Sequence, residues 1–272
     1  MSQSYLLPAL VNPVLAIAQR AGDAILGVYG QMLAAPDGHS AAGITLKDDG
    51  SPLTQADLLA HQLIARELAV LTPGIPVVSE EDEASQRHRL ATGQFWLVDP
   101  LDGTREFMAR NGEFTVNIAL IRDGRPVLGV VHAPALAQTY WGSQGAGAWR
   151  CAAAGTPESI RVLPPHHPLR VVASKSHLNQ ETQAFIAALG PQLLVQAGSS
   201  LKFCRVAEGL ADVYPRLGPT CEWDTAAAQA VLEAAGGHVL GPGGTPLHYG
   251  KPDKLNPYFV AASSAQFQLA PN

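Results

Sequence analysis

The sequence predicts an α+β protein in which helices and mainly antiparallel sheets alternate as layers. Amphipathic helical patterns occur in both halves of the chain, short apolar runs of strand length lie between them, and Gly- and Pro-containing turns join several of those runs. At 272 residues the chain suits one large domain or two tightly packed lobes, and 47% hydrophobic against 15% charged residues is too apolar for disorder.

Asn12 and Pro13 read as an N-cap and first helical position. Val14, Ala18, Ala21, Ile25 and Val28 then follow at helical spacing to about Leu33. Asp48-Asp49-Gly50 lies between two short extended segments, a hairpin signal. Thr54-Gln55-Ala56-Asp57 opens a second helix that ends at Leu71, before Thr72-Pro73-Gly74. Strands are expected around Val77 and Trp96 and over 114–121 and 127–132, the last two joined by Asp123-Gly124-Arg125. Tyr140-Trp141 and Gly147-Ala148-Trp149 form a further hairpin.

Residues 151–169 have no clear period, which sets a lobe boundary there. An N-terminal α+β lobe over 1–160 then carries most of the candidate ligands, and a C-terminal α/β lobe over 161–272 carries the rest. The second lobe reads as strand 169–173, helix 179–189, strand 193–196, helix 201–209, strand 211–214, helix 224–235 and closing strands at 238–240 and 258–262.

A net charge of −5 argues against a broad nucleic-acid surface, although bound cations would still admit a small anionic substrate. Cys151, Cys204 and Cys221 are odd in number and widely spaced, which predicts reduced, buried thiols in a cytosolic protein. His166-His167 lies between prolines and reads as surface loop. No signal peptide and no integral membrane segment are expected, so the expected place is the cytoplasm, with peripheral association at the inner face of the cell membrane left open.

Chemistry is expected where Trp96-Leu97-Val98, shaped like a buried strand, runs into Asp99-Pro100-Leu101-Asp102-Gly103-Thr104. An isolated D-x-x-D-G is also an ordinary turn. Two distant segments argue for more: Val77-Val78-Ser79-Glu80-Glu81-Asp82-Glu83, and Glu222-Trp223-Asp224 before an Ala-rich helix. Carboxylates are almost never buried unless paired or bound to metal. Phosphate ester hydrolysis needs neutralised phosphoryl oxygens, an activated water and a stabilised leaving group, which two divalent ions supply together. Glu80, Asp99, Asp102 and the Leu101 carbonyl offer oxygens for one Mg²⁺, and Asp99, Asp102 and Asp224 for a second. Gly103 and Thr104 would cradle the phosphate where a helix starts, with Arg105 beside it.

Taken in order, Glu80-Glu81, D-P-L-D-G-T at 99–104 and W-D-T-A-A at 223–227 closely resemble the signatures of the lithium-sensitive, Mg²⁺-dependent phosphatase superfamily that includes the inositol monophosphatases. The resemblance covers nearly the whole chain. It implies a layered α-β-α-β-α sandwich of the inositol monophosphatase and sugar phosphatase type, and the metal assignments above. It also implies that Thr104, paired with Asp57, helps activate the attacking water, with Glu80 in the same catalytic set. Asp57 equally completes T-x-x-D with Thr54, a capping-box variant. Arg105 stands where many relatives have lysine, which keeps the charge.

Two segments of the second lobe bear on substrate. Ser174-Lys175-Ser176-His177 follows an apolar strand, and Gly198-Ser199-Ser200-Leu201-Lys202 precedes a helix, so hydroxyls, backbone donors and a lysine would favour an anion. Both segments resemble the CysQ-type 3′(2′),5′-bisphosphate nucleotidases, in which positions matching Ser174, His177, Gly198 and Lys202 contact the nucleotide. The stretch 113–134 resembles the same branch. Arg216 stands where inositol monophosphatases typically carry a glutamate that binds sugar hydroxyls, and a forked cation would instead suit a second phosphate. The resemblance therefore implies removal of the 3′-phosphate from 3′-phosphoadenosine 5′-phosphate, with the corresponding phosphosulfate as a further substrate. An inositol or sugar phosphatase is the alternative within the superfamily. A haloacid-dehalogenase mechanism is disfavoured, because its two acids are separated by one residue and these by two.

Overall fold

The computed structural model of the chain describes residues 7–34, 43–46, 52–91, 93–153, 155–173 and 179–270. Helix α1 (Leu7–Ala34) opens it. Strands β1 (Thr45–Leu46) and β2 (Pro52–Leu53) pair antiparallel, while the turn expected at 48–50 lies outside the described residues. Helix α2 (Gln55–Leu71) follows the predicted span and begins with the full capping box of Thr54 and Asp57. Helix α1 starts earlier than predicted, and Pro13 sits inside it. Leu10 is buried among the apolar side chains of α1 and α2, and that packing extends the helix back beyond the proline.

The first sheet has seven strands in sequence order: β3 (Val77–Ser79), β4 (Gln94–Asp102), β5 (Thr115–Arg122), β6 (Arg125–Ala133), β7 (Gln138–Ser143), β8 (Gly147–Ala152) and β9 (Glu158–Ile160). Only the β3–β4 pair is parallel. The short helices α3 (His88–Ala91) and α4 (Thr104–Met108) flank β4. The second sheet orders β11 (Gln192–Gln196), β10 (Leu169–Ala173), β12 (Val213–Arg216), β14 (Phe259–Ala262) and β13 (His238–Leu240). Here the expectation of mainly antiparallel pairing fails: β10 lies parallel to both β11 and β12, and only β12–β14 and β13–β14 are antiparallel. The reason lies in α5 (Gln180–Ala188) and α6 (Leu201–Ala207), helical crossovers that return the chain in the same direction.

Three apolar clusters define the layers. One packs α1 and α2 on the first sheet, with Trp96, Val98, Ile118 and Leu120. The next takes the alternate residues Phe95, Leu97, Ala119 and Ile121 and joins them to α6, α7 (Ala226–Ala234) and the second sheet. The last covers the outer face of the second sheet with Ile186 of α5. The order is thus α-β-α-β-α, and the doubly covered first sheet explains why its antiparallel strands read as continuous apolar runs.

Helix α7 approaches that sheet closely. Gly129 and Gly142 are cross-strand neighbours, and a Cβ on either would come within 2.1 Å of the Ala227 carbonyl oxygen or 2.8 Å of Ala234 Cβ and Val231 Cα. This glycine groove fixes the depth of α7, and with it the segment carrying Asp224. The thiols only partly match expectation: all three cysteines are free, Cys204 is buried, but Cys151 and Cys221 are half-buried. His166 and His167 are exposed, as expected.

Candidate active site

Asp99 and Asp102 are three positions apart, a spacing that points side chains to opposite faces of a regular strand. Strand β4 avoids this with a bulge: Asp99 is opposite Asn117, yet Asp102 is opposite Thr115. Three steps on one strand match two on the other, so both carboxylates return to one side. The Leu101 amide donates to Asp99 Oδ1 at 3.1 Å. Glu80 enters from the end of β3, where its amide donates to the Val98 carbonyl at 3.1 Å. Asp224 arrives on the turn before α7, and its Oδ2 accepts from the Cys221 amide at 2.8 Å.

Glu80, Asp99 and Asp224 each bring an oxygen within 4.8 Å of the others. Burial pushes the Asp99 carboxyl well above its ordinary range, and Glu80, Asp102, Asp224 and Glu81 push it further. Burial followed by the charges of Asp102 and Glu80 raises Asp224 to about 8, against smaller opposing effects of the Cys221 amide and Arg216. Among the described residues no lysine or arginine pairs with either aspartate. A donor set made of carboxylate oxygens, with Asp99 buried and Glu80 and Asp224 half-buried, fits a hard cation. Glu81 adds the smallest share to this crowding of charge.

Around this cluster the predicted residues fare differently. Gly103 adopts φ 90°, and Thr104 begins α4, donating its hydroxyl to the Leu101 carbonyl at 3.4 Å. Asp57 is buried, and its Oδ2 accepts from the Thr54 amide at 2.8 Å and hydroxyl at 2.5 Å, so it caps α2. Gly198 packs against Glu106 and Glu113, where a Cβ would fall 2.9 Å from the Glu113 carbonyl oxygen. Ser174 and His177 lie outside the described residues.

Lys202, only 8% exposed, places its ammonium 5.6 Å from the Tyr214 ring centroid. Burial lowers its pKa, chiefly opposed by Asp102 and reinforced by Arg216. Arg216 donates through Nη2 to the Pro219 carbonyl at 2.8 Å, while its buried Nε has no partner. Lys202, Arg216, Tyr214, Asp102 and Asp224 line one open cleft. Two cations thus face the acid cluster across the same space.

The hydroxyls of Ser199 and Ser200 correct an expectation. Read from sequence as donors to an anion, they turn instead onto the acids: Ser199 Oγ donates to the Asp102 carbonyl at 2.6 Å, and Ser200 Oγ lies 2.8 Å from Asp102 Oδ2 and 3.0 Å from the Asp224 carbonyl. Asn117, unnoticed in the sequence, joins this network through Nδ2. Its signal was one amide within an otherwise apolar run. Glu222 also has a different task from its neighbour Asp224. Fully buried, it accepts from Arg89 Nη1 at 2.9 Å, Lys251 Nζ at 2.5 Å and two backbone amides, and so ties the turn to α3 and the 250–251 loop.

The profile of the inositol monophosphatase family matches residues 9–269. Over 251 residues the chain is 47% identical to the 3′(2′),5′-bisphosphate nucleotidase CysQ of Salmonella typhimurium, covering 92% of this chain and 98% of that one. The crystal structure of CysQ from Bacteroides thetaiotaomicron, described as a bacterial member of the inositol monophosphatase family, superposes with a TM-score of 0.82 at 40% identity, covering 96% of this chain and 99% of that one. The extragenic suppressor protein suhB of Bartonella henselae shares the fold, with a TM-score of 0.72 at 23% identity and 95% coverage of both chains. On these matches, and with its acid-lined cleft between the two sheets, the chain belongs to the inositol monophosphatase family.

Proposed function

We propose that the protein is a Mg²⁺-dependent 3′(2′),5′-bisphosphate nucleotidase that hydrolyses the 3′-phosphate of 3′-phosphoadenosine 5′-phosphate to AMP and phosphate, and that also accepts the corresponding phosphosulfate. The observation that carries this reading is the placement of Lys202 and Arg216 opposite Asp102 and Asp224 in one cleft. A monophosphate needs only the acid side with its cations, whereas a second phosphate gives the two basic side chains an anion to meet. The identity to CysQ nucleotidases along nearly the full chain supports the same substrate.

Glu80, Asp99, Asp102, Asp224 and the Leu101 carbonyl would hold the metal ions. Bound there, Mg²⁺ supplies neutralisation of the phosphoryl oxygens and a nucleophilic water at neutral pH. Gly103 and Thr104 orient the scissile phosphate through backbone donors, and Thr104, with Asp57 behind it, orients the water. Water attacks phosphorus, the bond to the 3′-oxygen breaks, and that oxygen leaves with a proton. Asp99 and Asp102 stay ligands, so no aspartyl phosphate accumulates. Lys202 and Arg216 hold the 5′-phosphate, with Ser174, His177 and Gly198 in the nucleotide-binding set. Lithium competes for one of the oxygen sites. The division at about residue 160 belongs to the same reading: the metal-binding lobe ends with the first sheet, and the nucleotide lobe adds Lys202, Arg216 and Asp224. Free cysteines and the lack, among the described residues, of a helix fit to cross a membrane support a cytoplasmic enzyme.

The test is phosphate release from 3′-phosphoadenosine 5′-phosphate, inositol 1-phosphate and fructose 1,6-bisphosphate with and without Mg²⁺. The bisphosphate nucleotide should give the highest kcat/KM. A preference for inositol 1-phosphate would replace the nucleotidase reading by the alternative within the family.

A further inference from the structure

Strand β5 is buried along Thr115–Ile121, and among its apolar residues Asn117 is an exception. Its Nδ2 donates to Asp102 Oδ2 at 3.2 Å and to Ser200 Oγ at 2.8 Å, which uses both N–H groups. Its Oδ1 is buried without a partner. The amide cannot gain by turning over, because that would set its oxygen against a carboxylate oxygen. An asparagine kept only for packing would not retain this cost in an apolar strand.

Ser200 completes the arrangement. Accepting from Asn117, it keeps its single proton for Asp102 Oδ2 at 2.8 Å or the Asp224 carbonyl at 3.0 Å. One hydroxyl thereby bridges the turn bearing Asp102 and the turn bearing Asp224. Thr115 Oγ1 adds a longer contact to the same Asp102 oxygen at 3.4 Å. Three donors converge on Oδ2, and among the described residues none reaches Oδ1. Because the terminal torsion of an aspartate is broad and roughly two-fold, donors of this kind decide which oxygen faces outward.

We infer that Asn117 and Ser200 are positioning residues that lock the Asp102 carboxylate with Oδ2 turned to the protein and Oδ1 presented to a divalent cation, and that fix the separation of the Asp102 and Asp224 turns. This rests on the metal reading of the acid cluster. Partners of this kind, which hold a ligand without touching the metal, typically contribute 10–100-fold to metal affinity.

The experiment is calorimetric titration of the substrate-free protein with Mg²⁺ and Mn²⁺, for wild type, Asn117→Ala and Ser200→Ala, beside melting curves in EDTA. Each variant should bind about 10–100-fold more weakly. The half-saturating Mg²⁺ for phosphate release should rise in parallel, while the metal-free melting temperature and the KM for nucleotide at saturating metal stay near wild type. If wild type binds a cation and both variants match it, the positioning role is overturned and the metal cluster stands. If wild type binds neither ion, the metal reading falls and this inference with it. Should Asn117→Ala fail to fold, the Ser200→Ala titration decides alone.

Discussion

The two walls of the cleft are built in opposite ways. The acid wall is set mainly by backbone: a bulge in β4, the end of β3 and the turn before α7 bring the buried Asp99 together with the half-buried Glu80 and Asp224. The basic wall is set by two long side chains, Lys202 lying against Tyr214 in an aromatic group with Phe203 and Phe259, and Arg216 at the end of β12. A wall made by backbone geometry tolerates little change and suits chemistry common to a family. One made by side chains can be altered residue by residue, and suits the choice among substrates.

The sharpest test of this contrast is at Asp99. Asp99→Asn should lower kcat/KM on every substrate alike, on the order of 10³-fold, measured at saturating Mg²⁺. Near-normal turnover would remove the two-metal assignment. On the basic side, Lys202→Ala and Arg216→Ala should each cost roughly 2–3 kcal/mol, about 30–150-fold in kcat/KM, on 3′-phosphoadenosine 5′-phosphate and spare 3′-AMP. Equal losses on both substrates would mean that these cations support the fold or the acid cluster instead.

The acid wall also predicts an unusual dependence of stability on pH. Asp99 and Asp224 are raised in the folded state, Asp224 to about 8 from an ordinary 3.8. Between these values the folded chain binds more protons than the unfolded one. Their contribution is therefore complete below about pH 4 and is lost as pH rises through 8. In EDTA the melting temperature of wild type should fall from pH 6 to 8, and Mg²⁺ should restore it. Asp99→Asn should flatten that slope, and a slope as steep as in wild type would place the repulsion elsewhere. The smallest effect is expected at Asp57. Loss of its capping bonds in Asp57→Ala should cost about 1 kcal/mol of stability in chemical denaturation. A fall in kcat beyond that seen in Thr54→Ala, which disrupts the same cap, would separate catalysis from capping.

Much of this was legible in the chain. Thr54 and Asp57 announce the start of α2 because a capping box is a local interaction, complete within four residues. Strand β10 falls on its predicted residues, where an apolar run is bounded by turn residues. Pro13 misled, since local preference favours a helix start there while the burial of Leu10 favours a start at Leu7, nearly two turns earlier. Ser199 and Ser200 misled for a related reason: a hydroxyl before a helix has several possible acceptors, and only the nearness of Asp102, about a hundred residues away in sequence, selects one.

By itself, then, the sequence determined the kinds of element, their order and the three acid-bearing segments, because these depend on periodicity, turn chemistry and short motifs. Tertiary structure alone decided that the β4 bulge faces Asp99 and Asp102 the same way, that Gly129 and Gly142 admit α7 to the depth that delivers Asp224, and that Asn117 and Ser200 close on Asp102. Each of these requires contact between segments far apart along the chain. Such contacts are chosen by packing and by the need of every buried polar atom for a partner, and neither condition is met until the layers have closed.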